Sequence, residues 1–380
     1  MAVIANSGWS LSEQSAAGHA PAALSIAEWA ELASEALEPT IANDPAWLMP
    51  AFRELAPHHP AQLVTLGSAF KLAGIAALRE SRWRWGFPIQ AMVSWDHPHH
   101  FLGTPLMSRN GAVAGFKELI LRGRVLVLTQ VTLDGEAMEA LRMAAADTGA
   151  HFRVTARWER AGYKPGDFDA HLIHHLPRKR RKELRRLRKR LEETGDLQLR
   201  RLARGDDLED WFGRFEALEV AGWKGRRGTA LAQEPSDSRL LREVGRLLHH
   251  DGRLLFWELA LEGRPVAMLF AMISGTRAWL GKIAYDENFA SFSPGVLLLV
   301  DASRDFDGRK DIDFVDSCAV PDHPMINRLW HDRLAVGSVM VIPPNLPAWQ
   351  AHALPVLEAA RNNAITFLKS IRPLLTRRRK

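Results

Sequence analysis

Apolar positions recur along this chain with two periods, and the stretch from Arg253 to Asp301 shows both. Arg253–Leu261 is rich in Leu, Phe and Trp and stops at Glu262-Gly263, a turn signal. Pro265–Ile273 is almost unbroken apolar sequence, as in a strand covered on both faces. Ser274-Gly275 then turns the chain into a third strand, Arg277–Tyr285. The pattern predicts an antiparallel meander feeding a helix that starts at Ser293-Pro294-Gly295, with Ser as the cap and Pro in the first turn. Such a start leaves N–H groups free and carries a partial positive charge, which suits a pyrophosphate. An ordinary capped helix after a meander gives the same pattern.

Helical spacing covers Leu24–Leu37 and Pro45–Leu55, the second capped by Asp44. Strand-like runs follow at Gln62–Leu66, Lys71–Arg79 and Arg84–Val93, with Gly67-Ser68 as a hairpin turn between the first two. Helices Val113–Arg122 and Gly135–Thr148 alternate with strands Arg124–Val131 and His151–Trp158, which argues for a mixed α/β lobe. Beyond it the pattern gives a helix over Arg178–Arg190, a strand over Leu197–Ala203, and helices over Asp207–Glu219 and Ser236–His250. After the meander come a short strand Asp311–Val315, a helix Met325–Asp332, a strand Ala335–Ile342 and a helical tail Trp349–Lys380. Residues 1–22 are small and polar and read as a mobile tail. The expected organisation is this tail, a first lobe over 23–160, a second lobe over 161–343, and a C-terminal helix with a basic end over 344–380.

Composition narrows the class. The 380 residues are 47% hydrophobic, enough for a substantial core. A single cysteine excludes an internal disulfide framework and fits a reducing compartment. The N-terminus lacks the pattern of a secretory signal and no apolar run approaches the ~18 residues of a membrane span, so a cytoplasmic protein is expected. The net charge of +6 is concentrated in Arg178–Arg190, where ten of thirteen residues are Lys or Arg, and at the C-terminal Arg377-Arg378-Arg379-Lys380. Leu184, Leu187 and Leu191 give the first stretch a thin apolar stripe. It reads as a helix solvated on its basic face, with nucleic acid, a membrane surface, or a phosphorylated substrate or carrier protein as candidate contacts.

Candidate chemistry lies in two further segments. Gly222-Trp223-Lys224-Gly225-Arg226-Arg227-Gly228 sets glycines among cations, a loop that allows close backbone approach to an anion. Asp316-x-Cys318-x-x-Pro321-Asp322-His323-Pro324 packs Asp, Cys and His between a strand and a helix, with two prolines stiffening the turn. His323 and Asp316 are the candidates for proton chemistry, with Glu258 as a further carboxylate and Tyr285 as a further proton donor. Cys318 reads as a small buried residue, although an acyl-cysteine relay activated by His323 uses the same residues. His97, His99 and His100, and His171, His174 and His175, form two clusters. They match no metal-ligand spacing and read as loop and surface residues, so no metal is expected. Trp83, Trp85 and Trp95 read as core or sheet-face residues.

From about Asp44 to Pro343 the chain resembles the acetyltransferases of the cellulose-biosynthesis (CelD/BcsL) type, within the GNAT superfamily and similar to the Fem aminoacyltransferases. The resemblance is carried by Trp223-Lys224-Gly225-x-x-Gly228-Thr229-Ala230, by Tyr285-Asp286-x-x-Phe289-Ala290-x-x-Ser293-Pro294-Gly295, and by Asp316–Pro324. It implies two tandem GNAT-like lobes, each a mixed, largely antiparallel sheet flanked by helices, the first degenerate and the second catalytic. It also implies N-acyl transfer from a thioester, acyl-CoA or acyl carrier protein, with no covalently bound cofactor. The acceptor expected is an amine of an envelope polysaccharide precursor, an amino sugar or a long-chain amino lipid. Donor phosphates fall to Trp223, Lys224, Gly225, Arg226, Ser293 and Gly295. The basic helix and C-terminus imply a peripheral contact with the inner face of the membrane, and nucleic acid is not an expected partner. Two alternatives stay open: aminoacyl transfer from charged tRNA, as in the Fem proteins, and a non-catalytic GNAT-like module that binds nucleic acid or lipid through the basic helix.

Overall fold

The computed structural model describes residues 24–68 and 71–377. The expected N-terminal tail and the last three basic residues lie outside them. Two helices open the described chain, α1 (Ile26–Ser34) and α2 (Pro45–Leu55). The Asp44 carboxylate accepts from the Ala46 amide and Pro45 fills the first turn of α2, as the sequence predicts. A meander follows: β1 (Gln62–Ser68), β2 (Lys71–Ser81) and β3 (Ala91–Ser94), with β4 (Leu106–Met107) paired to β2. Gly67 and Ser68 belong to β1 and do not form the expected hairpin turn, since Gly67 takes up a register shift at φ +124°. Residues 84–90, expected as strand, are irregular because Trp85 and Gly86 both adopt positive φ. Then come α3 (Ala112–Leu121), β5 (Val125–Thr132), α4 (Glu136–Thr148) and β6 (His151–Tyr163).

The second half repeats this plan. Helices α5 (Phe168–His175), α6 (Arg178–Glu192), α7 (Leu208–Ala221), α8 (Trp223–Arg226) and α9 (Pro235–His250) surround β7 (Leu197–Arg201). They precede the meander β8 (Leu254–Leu261), β9 (Arg264–Ser274) and β10 (Arg277–Tyr285). The chain continues through α10 (Pro294–Asp307), β11 (Phe314–Asp316), α11 (Ile326–Leu329), β12 (Asp332–Ile342) and α12 (Ala348–Arg377). Helix α5 had no counterpart in the sequence reading, while α11 and β11 are shorter than expected.

One mixed sheet joins both halves in the order β1-β2-β3-β5-β12-β6-β11-β10-β9-β8-β7. Each half is a meander whose last strand pairs in parallel with a strand reached through a helix, β3 with β5 and β10 with β11. The final strands are exchanged. Strand β12, expected in the second lobe, lies antiparallel against β5 of the first, and β6 of the first lobe reaches β11 of the second. The mixed α/β fold and its GNAT-like plan are thus as expected.

The apolar residues sort onto the two faces of the sheet. One core joins α1 and α2 to α7, α9 and the Phe256, Phe270 and Trp279 side of the second meander. Another lies on the opposite face under α5, α6 and α10. The second meander is therefore buried on both sides, which explains its nearly continuous apolar sequence.

Candidate functional site

The site grows from the point where β10 and β11 part. Their parallel pairing covers only Arg277↔Phe314, Ala278↔Val315 and Trp279↔Asp316. Strand β11 then stops, while β10 runs on to Tyr285 through a register shift between Leu280 and Ile283. The shift is enforced locally, because a Cβ on Gly281 would overlap the Phe270 ring. The stop has its own cause. The Asp316 carboxylate accepts from the Cys318 amide at 2.9 Å and is held by Arg160, while Cys318 adopts φ +52°. Beyond Trp279, β10 has no strand partner on the side where β11 stops, and this parting of the two strands forms a wedge in the sheet. At the far end of β10, a 3-10 turn Glu287–Phe292 leads into α10.

Ser293 occupies the N-cap position of α10 as expected, but its hydroxyl does not cap the helix: its backbone is left-handed (φ +53°), which turns the side chain away. The first turn is anchored by Val296 and Leu297 amides on the Ser293 carbonyl. Gly295 lies against Ile283 and Tyr285, where an added Cβ would make ordinary contact at 3.4 and 3.5 Å. The helix start therefore sits on the end of β10.

The Trp223–Arg226 segment is a short helix, not an open loop, and it too meets the end of β10. Lys224 Nζ donates to the Ile283 carbonyl at 3.0 Å and to the buried Glu219 at 2.7 Å. The Trp223 amide donates to Glu287 at 2.7 Å, and Arg226 pairs with the same carboxylate at 2.6 Å. Gly225 is obligatory, since a Cβ there would overlap the Val220 carbonyl. Trp223 is half-exposed beneath the Arg227 guanidinium. Trp223, Lys224, Gly225, Arg226, Ser293 and Gly295 are thus gathered at one strand end, with both cations already on carboxylates.

The remaining candidates separate. His323 is half-buried, and its Nδ1 accepts from the Ile326 amide at 3.3 Å, so the neutral ring presents Nε2–H. Burial, opposed by a backbone hydrogen bond and helped by the nearby Lys224 ammonium, holds its pKa below the usual histidine value. Asp316 meets Arg160 and the Cys318 amide instead of His323. Burial, then the Asp316 charge, raises the Cys318 thiol well above its ordinary range, so it stays protonated. Tyr285 is partly buried at the α10 start. Glu258 is fully buried, bridged to Arg200 at 3.0 Å and to Arg214.

A further set of polar groups lines the other face of β10. Lys282, at the register shift, extends its ammonium to 4.0 Å from Glu219. Burial lowers its pKa, partly countered by Glu219 and Asp237. Asp237, in the first turn of α9, meets His99 of the first lobe at 2.8 Å. The reading of these histidines as surface residues is therefore partly wrong: His97, His99 and His100 are partly buried, His99 reaches the second lobe, and burial, then His100, pushes His97 down to about 2. Among the described residues no group of three or more His, Cys, Asp or Glu is arranged to hold a metal. Glu219 was legible as an anomaly, since it falls on the apolar stripe of α7 with Phe212 and Phe215. Lys282 likewise interrupts an apolar strand. The His99–Asp237 contact joins residues far apart in sequence, and no local pattern announces it.

Two diverging parallel strands, with a helix start at the end of the longer one, give the second half a GNAT-like fold. In agreement, residues 178–318 match the family model described as an acetyltransferase (GNAT) domain. The chain is similar in fold to the crystal structure of FemX, at 11% identity over 86% of this chain and 98% of that one, with a TM-score of 0.54. It is also similar to the C-terminal domain of a putative lysylphosphatidylglycerol synthetase from Agrobacterium fabrum, at 10% identity over 88% and 95%, with a TM-score of 0.53. No curated protein sequence matches.

Proposed function

We propose that the chain is an N-acyltransferase that moves an acyl group from a thioester to an amine. The observation that carries this reading is the wedge between β10 and the chain leaving β11, open from Leu280 to Tyr285 and ending on the start of α10. The edge of β10 left without a strand partner suits an extended pantetheine arm, and the Gly295 N–H and the positive end of the α10 dipole suit its phosphates. Lys224 and Arg226 take part by exchanging a carboxylate partner for phosphate.

The reaction needs a neutral amine, stabilisation of the developing oxyanion and protonation of the departing thiolate. His323 is assigned to the proton chemistry. Its Nε2–H donates a hydrogen bond to the departing thiolate, which takes up the proton released by the attacking amine, so the ring stays neutral throughout. Tyr285 is the second donor. Asp316 holds Arg160 and the turn that aims the His323 segment, so its role is positioning. Glu258, engaged with two arginines, stands behind the site. Cys318 takes no part, and transfer is direct. The acceptor is assigned to the interlobe face bearing Lys282, Asp237 and His99, and its class is an amino sugar, envelope precursor or amino lipid.

The test is stabilisation by donor. CoA and acyl-CoAs at saturating concentration are expected to raise the melting temperature, since a ligand at a hundred times its Kd adds about 2.7 kcal/mol. A melting temperature indifferent to CoA, acyl-CoA and acylated carrier protein alike contradicts the proposal.

A further inference from the structure

We infer that α6 is the docking site of an acidic acyl carrier protein, so that the thioester reaches the wedge on a carrier-borne phosphopantetheine arm and not chiefly as free CoA. This rests on the acyltransferase reading above. Helix α6 carries ten Lys or Arg between Arg178 and Arg190. Three of them are neutralised within the chain: Arg186 by Glu183, Arg188 by Asp301 and Glu192, and Lys189 by Glu193. Among the described residues, the others, including Arg178, Lys179, Lys182, Arg185 and Arg190, have no carboxylate at ion-pair distance. Like charges four residues apart, as at Arg178 and Lys182 or Arg181 and Arg185, destabilise a helix. An uncompensated stripe of this kind gives the fold nothing and is explained by an anionic partner outside it.

Position and chemistry select the partner. The leucines of α6 turn inward, with Leu187 and Leu191 buried in the core beneath α10, so the exposed face of α6 offers no apolar side chain to enter a bilayer. The stripe spans about 18 Å of helix, on the order of three turns of a partner helix. It also leads to the donor end of the site. Arg190 lies over the Phe292 ring at 5.3 Å, and Phe292 is the residue before the α10 N-cap. An acidic helix lying along α6 therefore has its prosthetic arm at the mouth of the wedge. A membrane or an RNA on the same stripe delivers no thioester there.

The test measures binding of the full chain to purified holo acyl carrier protein, to vesicles containing phosphatidylglycerol and to bulk tRNA, at about 0.05 M and 0.3 M salt. Holo carrier protein is expected to bind, and Lys182→Glu with Arg185→Glu is expected to weaken it by about tenfold or more, as does the higher salt. The neutral pair Lys182→Gln and Arg185→Gln, which keeps helix propensity, is expected to weaken it less but in the same direction. In turnover, both pairs are expected to raise KM for acylated carrier protein and leave transfer from acyl-CoA unchanged. No carrier binding, or binding indifferent to these substitutions, overturns the docking site while acyl-CoA turnover still supports the acyltransferase. Tighter, substitution-sensitive binding of vesicles or tRNA also overturns it. Carrier binding through α6 without any thioester turnover supports the docking site and removes the acyltransferase reading.

Discussion

Three side chains in nine residues settle how the turn after β11 divides its work. His323→Ala is expected to lower kcat by about 10²–10⁴ with donor affinity intact, and Asp316→Asn to cost less per folded molecule, because Asp316 acts through Arg160. Cys318→Ser is expected to stay active. Steady-state kinetics of the three variants with one thioester decide the matter, and near-wild-type kcat for His323→Ala removes the assignment. Glu258 makes the complementary case. It is fully buried between Arg200 and Arg214. Glu258→Gln is expected to cost about 3–5 kcal/mol of stability while kcat of the folded fraction changes little. Equilibrium denaturation together with active-site-normalised kinetics checks this, and the opposite pattern, full stability with lost kcat, makes Glu258 catalytic. The types and order of these residues were legible in the sequence. Their partners were not: the buried arginine opposite Asp316 comes from mid-strand in β6, 156 positions away.

At the scale of elements, the sequence was most informative where burial dictates pattern. The second meander and the start of α10 fall where the apolar runs and the Ser-Pro-Gly signal put them, because a strand covered on both faces admits few polar residues. It failed where backbone conformation decides. Trp85 and Ser293 both take positive φ, which moves a strand boundary in one case and removes a side-chain cap in the other. The glycine-rich basic segment folded into a short helix because Lys224 and Arg226 found Glu219 and Glu287. That arrangement yields a prediction about the element as a whole. Replacing both Lys224 and Arg226 by Ala is expected to raise the donor KM by roughly tenfold or more, through lost phosphate contacts and through release of α8 from the end of β10. An unchanged donor KM in the double variant defeats the idea.

Across the whole molecule, exchange of β6 and β12 ties the halves into one sheet, a feature invisible to local periodicity because it pairs strands roughly 150 or more residues apart in the chain. The half-buried histidines after β3 make the first lobe pH-sensitive. His97 is pushed down to about 2, chiefly by burial and then by His100, and His100 is lowered mainly by burial. The unfolded chain, with ordinary histidines near 6.5, then binds more protons than the folded one. Stability is accordingly full above about pH 6.5 and falls with acidification, by about 1.4 kcal/mol per pH unit for His97, with His100 adding in the same direction. Denaturant titrations at about pH 7.5 and pH 5 check the direction, and equal stability at the two values contradicts it. Acyl transfer from thioester to amine at the wedge is measured by the release of free thiol from acyl-CoA and acylated carrier protein in the presence and absence of amine acceptors. Amine-dependent thiol release that His323→Ala suppresses is the expected result. Thiol release absent with every donor, alongside transfer from charged tRNA, would contradict it.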